Sequence, residues 1–467
     1  MKFAVIVLLA VVFGPGSSGV LLAAEATPLA MHPDNPHYFM FRGKPTVLVT
    51  SGEHYGAVLN LDFDYVRYFD ELARHGLNHT RTWVGTYREI PSSFGITDNT
   101  LAPLPGRYIC PWARSDKPGY FDGGNKFDLT KWDEAYFTRL KDFMAQASKR
   151  GIVVEVNLFC PNYEEALWKA SPMHESNNIN GVGRCPANEP YTLKHKDLLD
   201  VQEAVTRKVV AELAEFDNLY YEICNEPYFG GVAMDWQHHI VDTIVAAESD
   251  LKHKHLIAMN IANGRAKIEK PHPAVSIFNF HYCTPPDTVA MNFDLKKPIG
   301  ENETGFRGKD DATYRTEGWD FMLAGGALYN NLDYSFTAKH PDGSFLDYKS
   351  PGGGSPKLRE QLGILKKFIE SFDFVRLAPD GSVIQGGLPD KATGRALSEP
   401  GKQYAIYING GRRAELQLEL PAGDYQADWV DALTGQVTSQ ELKHTGGRVK
   451  LASPEYGQDI ALRIRAR

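Results

Sequence analysis

Between residue 45 and about residue 370 the chain repeats one pattern: a short apolar run, a polar loop, then a longer stretch with apolar residues at three- and four-residue spacing. A strand period alternating with a helix period is what parallel strands covered by helices require. Eight runs can be counted, at 46–52, 76–83, 152–159, 218–224, 256–261, 275–281, 298–303 and 327–334. Between them, 63–75, 131–150, 195–216 and 233–251 have the spacing of core-facing helices. The segment 356–372 places Leu358, Leu362, Leu365, Phe368 and Ile369 on one stripe and closes the series. The expected fold class is α/β, a (β/α)8 or TIM barrel, with the loops that follow the strands lining the functional face. Two of those loops, 84–130 and 160–195, are long enough to wall a cleft.

After residue 375 the helical spacing stops. Short alternating runs at 403–408, 415–420 and 425–430 are broken by turn residues such as Asn409-Gly410-Gly411 and Pro421-Ala422-Gly423-Asp424. They predict a small C-terminal antiparallel β-sandwich. The expected division is a signal peptide at 1–26, a barrel at 27–374 that begins with a small hairpin beneath it, and a sandwich at 375–467.

Lys2, the apolar run 3–13 and the small residues Ala24-Glu25-Ala26 form the three-part pattern of a secretory signal, so the chain is expected to be secreted or periplasmic. No later run is long and apolar enough to suggest a membrane span. The five cysteines lack the close pairing of a zinc site, although an exported chain permits one bridge from Cys185 to either Cys110 or Cys160. A formal net charge of -8 without a basic cluster argues against a nucleic-acid partner. No phosphate-cradling glycine loop opens a helix, so no cofactor is expected. His238, His239, His253 and His255 lack partners at ligand spacing, and no metal is expected either.

Two strand ends carry the chemistry. The fourth run ends Tyr220-Tyr221-Glu222-Ile223-Cys224-Asn225-Glu226-Pro227, where a period of two turns Glu222, Cys224 and Glu226 to one face. The seventh reads Pro298-Ile299-Gly300-Glu301-Asn302-Glu303-Thr304-Gly305, again with two acids two residues apart. Buried carboxylates need partners, and Glu222 and Glu301 read first as structural ion-pairing groups. Hydrolysis of a glycosidic bond needs two carboxyl groups, one protonated and one ionised, and strands four and seven lie across a barrel from each other.

Asn225-Glu226-Pro227 and the motif Pro-Ile-x-x-x-Glu-x-Gly around Glu303 resemble clan A of the glycoside hydrolases, with family 5 the nearest pattern. The resemblance implies a retaining glycosidase acting on a carbohydrate substrate, with Glu226 as acid/base, Glu303 as nucleophile and Asn225 on the sugar 2-hydroxyl. Gly76-Leu77-Asn78-His79-Thr80-Arg81 is similar to the clan's second strand, which implies that Arg81 supports Glu303, with Glu222 as its partner. Phe280-His281-Tyr282 is similar to the clan's His-x-Tyr region at contracted spacing, and His281 reads either as a substrate donor or as a satisfied strand-end histidine. The barrel with its sandwich also resembles cellulase-like hydrolases carrying a C-terminal module of the collagen-binding type. Trp83, Tyr87, Trp112, Tyr228, Phe229 and Tyr334 lie at or after strand ends, where aromatic faces can stack on sugars. Tyr329 or Tyr334 stands in for a tryptophan that many clan members place on strand eight.

Arg81 is expected to keep Glu303 ionised, and burial beside Glu303 to raise the pKa of Glu226. Two alternatives remain open at this stage: Glu301 as nucleophile or an inverting pair, and a carbohydrate-binding barrel without turnover.

Overall fold

The computed structural model describes residues 27–467, so the signal peptide expected at 1–26 lies outside the described residues. Eight parallel strands form one sheet that curls into a barrel. They are β1 (Leu48–Gly52), β2 (His79–Trp83), β3 (Val153–Phe159), β4 (Leu219–Cys224), β5 (Leu256–Asn263), β6 (Ile277–His281), β7 (Ile299–Thr304) and β8 (Leu328–Leu332). Ladders run from β2 through β3, β4 and onward to β8, and β8 pairs with β1. The seam between β1 and β2 is stitched by Asn78, whose backbone N–H donates to the Val49 carbonyl at 3.3 Å and whose Oδ1 accepts from the Val49 N–H at 3.1 Å.

The covering helices are α1 (Tyr65–Arg74), α2 (Glu134–Lys149), α3 (Lys196–Leu213), α4 (Met234–Ala247), α5 (Asp287–Asn292), α6 (Asp311–Leu323) and α7 (Pro356–Glu370). Side-chain caps explain several of their starts. Asp64 and Asp133 each accept two backbone N–H bonds of the first turn, and Ser355 accepts one ahead of Pro356. The last barrel strand stops at Leu332, short of the expected 334, because Asp333 Oδ1 turns the chain by accepting from the Ser335 N–H at 3.1 Å. The long loop after β2 is partly ordered as a hairpin of Trp112–Pro118 and Asn125–Trp132. Residues Ala30–Met31, Phe39–Phe41 and Lys44–Thr46 form the small antiparallel element ahead of β1.

The C-terminal part is a six-stranded antiparallel sheet facing a three-stranded one around Ile406, Ile408, Leu416, Leu418, Trp429, Leu462 and Ile464. It docks on α6. Trp319 stacks on Tyr407 with ring centroids 5.2 Å apart, and Arg315 reaches Asp459 at 2.7 Å, where the Tyr407 hydroxyl also donates at 3.0 Å. The disulfide permitted by the sequence is not formed: all five cysteines are free, with Cys110 and Cys160 buried in the main core and Cys185 half-buried against it.

Because Arg315 and Asp459 are both buried, removing one partner strands the other charge. Asp459→Ala is expected to lower the unfolding free energy by about 3–5 kcal/mol in urea denaturation, and a loss below about 1 kcal/mol contradicts this account of the junction.

Candidate active site

The lumen below the functional face is occupied by one cation and three carboxylates. Arg81 on β2 donates through Nε to Glu155 on β3 at 2.7 Å, through Nη2 to Glu222 on β4, and through Nη1 to Glu303 on β7 at 3.2 Å. All three acids face the guanidinium because β3, β4 and β7 turn these positions inward, and Arg81 is paired with Glu155 across the β2–β3 ladder. Asn302 donates to both Glu155 and Glu222 at 2.7 and 2.8 Å, and Asn279 donates to Glu222 at 2.7 Å. Three carboxylates against one buried guanidinium leave excess negative charge, which a proton relieves. Burial, then the Glu222 charge, push the Glu155 carboxyl up to about 8, against which Arg81 pulls.

At the mouth stand Glu226 and Glu303. A carboxylate oxygen of each and a ring nitrogen of His281 all lie within 4.8 Å of one another. His281 Nδ1 is 3.2 Å from Glu226 Oε1 and 3.5 Å from Glu303 Oε1, so this nitrogen carries the proton between two acceptors. Glu303 accepts further from the Tyr55 hydroxyl at 2.8 Å and the Tyr282 hydroxyl at 2.7 Å. Glu226 accepts from Tyr163 at 2.7 Å and from Tyr228 at 3.3 Å. Asn225 bridges the two halves, accepting from Arg81 Nη2 at 2.8 Å and donating to the Tyr163 hydroxyl at 2.9 Å. Glu226, His281 and Glu303 could bracket a cation, but the Arg81 charge beside Glu303 opposes one there.

Tyr55, Tyr163, Asn225, Glu226, Tyr282 and Glu303 line a pocket of about 430 Å³, with His54, Trp83, Glu89, Phe94 and Phe306 among its other walls. That volume suits a small ligand or a few linked rings. Tyr55, Phe94, Glu226 and Tyr282 line it with positive φ values of 62°, 55°, 36° and 54°. Left-handed backbone at non-glycine residues costs on the order of 1–3 kcal/mol each and persists where the surroundings enforce it.

The structure brings Arg81, Glu222, Asn225, Glu226, His281, Tyr282 and Glu303 together as the sequence suggests, and Trp83 forms a wall between Tyr55 and Tyr87. Other expectations are corrected. Glu226 does not continue the β4 face but sits beyond it in a left-handed turn. Glu301 does not share a face with Glu303: the register slips between His281 and Phe280, so β7 bulges at Asn302 and sends Glu301 outward. There it accepts the Cys283 N–H at 2.5 Å, and burial together with Glu317 on α6 holds its pKa far above the usual carboxylate range. Tyr334 lies behind His54, with ring centroids 5.8 Å apart, rather than in the wall, and Tyr228 bonds Glu226 and Asn263 at the rim. Tyr329 donates to the Tyr314 carbonyl on α6 and faces away from the pocket, and Trp112 is buried in the loop hairpin. The pKa of Glu226 moves down, not up. Burial raises it, but the hydrogen bond and charge of His281, then Tyr163 and Tyr228, outweigh that cost.

Sequence reading missed Glu155, Tyr55, Tyr163 and the pair His54 and Glu89. Glu155 could have been flagged as a lone acid in the apolar run Val153–Phe159. The others sit in loops without periodicity, where only the folded chain brings them to the site.

Residues 99–264 match the family described as a domain of unknown function (DUF6298). The match includes Asn225 and Glu226 and ends before Glu303. No curated protein matches the chain in sequence. Among solved structures, the chain is similar to a candidate glycoside hydrolase from Bacteroides vulgatus ATCC 8482, with a TM-score of 0.67 and 13% identity over 95% of this chain and 83% of that one. A glycoside hydrolase of family 5 from the same organism gives 0.62 and 13% over 94% and 93%. A family 5 mannosidase from Rhizomucor miehei gives 0.50 and 12% over 75% and 100%. At such identities the likeness establishes the fold: a barrel of the kind found in glycoside hydrolases.

A carboxyl with a raised pKa holds a proton in the folded chain that the unfolded chain has released, so its contribution favours folding less as pH rises from about 4.5 to about 8. Glu155→Gln is expected to flatten this part of the stability–pH profile by up to about 1.4 kcal/mol per pH unit relative to wild type. Parallel denaturation profiles for the two proteins between pH 5 and 8 contradict the shared proton.

Proposed function

We propose that the chain is a retaining β-glycoside hydrolase, akin to clan A and family 5, acting without cofactor on a polysaccharide or on oligosaccharides from one. The observation that carries the reading is the carboxylate pair of Glu226 and Glu303, with oxygens within 4.8 Å in a concave, aromatic-walled pocket. Retaining pairs stand about 5–5.5 Å apart, whereas inverting pairs need about 6.5–9.5 Å to seat a water between acid and base.

In this reading Glu303 attacks the anomeric carbon as Glu226 delivers a proton to the departing glycosidic oxygen. The C–O bond to the leaving sugar breaks and an ester bond to Glu303 forms. Glu226 then takes a proton from water, whose oxygen displaces Glu303 and releases the sugar with its original configuration. Tyr55, Tyr282 and Arg81 hold Glu303 in line, and Asn225 is positioned by Arg81 to meet the 2-hydroxyl. His281, 3.2 Å from Glu226 Oε1, holds that carboxyl in place for proton transfer to the departing oxygen. The pattern of residues 1–26 supports export, and the sheets after residue 375 support an accessory module of the type the sequence resembles.

Glu226→Gln and Glu303→Gln are each expected to lower kcat/KM by 10³-fold or more on a panel of β-glycans and aryl β-glycosides, with folding intact. Full activity in either variant overturns its assignment. Sugar binding without turnover by the wild type across the panel favours a binding protein instead. His281→Asn removes what holds the Glu226 pKa down, so the alkaline limb of kcat/KM is expected to move to higher pH. An unmoved limb contradicts that coupling.

A further inference from the structure

A third buried carboxylate lines the same pocket and has no part in the mechanism above. Glu89 is 1% exposed and sits on the long loop after β2. Its two oxygens are both 3.3 Å from His54 Nε2, and Asn99 Nδ2 donates to Oε2. A buried carboxyl group needs partners, and here two neighbours hold it at the pocket wall.

The position of that wall matters. His54 and Tyr55 follow β1, and Tyr55 bonds Glu303, whereas Glu226 follows β4 on another side of the ring. In the glycosidase reading, a sugar attacked by Glu303 extends toward His54 and Glu89, and its leaving group past Glu226 toward Phe229. The side over β1 is crossed by a clasp. The loop carrying Glu89 is tied to the loop after β8, with Thr97 N–H and Oγ1 donating to the Lys349 carbonyl at 3.1 and 2.6 Å and Lys349 N–H returning a bond to Thr97 Oγ1 at 2.9 Å. Lys339 and Asp98 add an ion pair at 3.1 Å. Since β8 and β2 flank β1, this clasp crosses the barrel mouth on the side where Glu89 stands. Phe94, from the same loop, spans toward Tyr163 and Phe306 with ring centroids 5.4 and 6.4 Å apart. On the leaving-group side Phe229 and Phe306 stand at the rim, 44% and 43% exposed.

Building on the glycosidase reading, we propose that Glu89 receives the hydroxyls of a terminal sugar farthest from its anomeric carbon, and that the enzyme is exo-acting on non-reducing chain ends. A carboxylate fixed by His54 and Asn99 still has lone pairs for two adjacent hydroxyls, and the clasp leaves no path for a chain that continues beyond them. The substrate class is thus an oligosaccharide or glycoside with a free non-reducing terminus.

The test compares wild-type cleavage of β-linked gluco- and manno-oligosaccharides with that of the same chains capped at the terminal sugar as a 4,6-O-ethylidene acetal. Free chains are expected to shorten from one end, one sugar at a time, and capped chains to resist. Glu89→Gln is expected to lose about ten- to a hundredfold in kcat/KM on an aryl glycoside, mostly through KM, yet to match wild type on the 4-deoxy analogue, which lacks the hydroxyl in question. Internal cleavage of capped chains overturns the proposal, as does an equal loss on the deoxy analogue, which would mark Glu89 as structural. Wild type inactive on free and capped chains alike overturns the glycosidase reading beneath it, a result separable from the others.

Discussion

The Arg81 guanidinium is the interaction around which the barrel is arranged. Buried without partners it would be untenable, and its partners come from three strands: Glu155 on β3, Glu222 on β4 and Glu303 on β7. An ion network of this kind is weak evidence for added stability, because taking its members out of water offsets most of their attraction. Its effect is on geometry. Arg81 fixes Glu303 from below and reaches Asn225 beside Glu226, so the two mouth carboxylates are referred to one rigid group. Asn302, Asn279 and Tyr220 donate to the other oxygens of Glu155 and Glu222.

Above that network the backbone is bent to purpose. The bulge at Asn302 lets two consecutive residues, Asn302 and Glu303, serve the lumen and the mouth, while Glu301 leaves for the helix layer. Left-handed turns at Tyr55, Glu226 and Tyr282 aim their side chains into the same space. These departures from regular strand geometry carry a cost that the rest of the barrel supplies, and they gather where side chains must meet at fixed distances.

That division also explains what the sequence could tell. The eight strands and most helices were legible because burial writes a period of two or of 3.6 into the chain, as in Val153–Phe159 and Pro356–Glu370. Arg81, Glu226 and Glu303 were legible because charged groups at barrel strand ends need a reason. Glu301 was misplaced because a bulge breaks the period of two without leaving a mark in residue type. The direction of the Glu226 pKa was misread because only the folded chain brings His281, and then Tyr163 and Tyr228, onto its carboxyl. Tyr55, His54 and Glu89 left no trace at all, since aperiodic loops are positioned only by the finished fold.

The account stands or falls on Glu303 forming a covalent bond to the sugar. Incubation with a 2-deoxy-2-fluoro aryl β-glycoside, which slows release of the intermediate more than its formation, followed by mass spectrometry of the digested protein, measures this directly. The account predicts one added fluorosugar on the peptide containing Glu303 and none on the Glu303→Gln protein. A label on Glu226 or elsewhere, or unlabelled protein that turns over the parent glycoside, would contradict it.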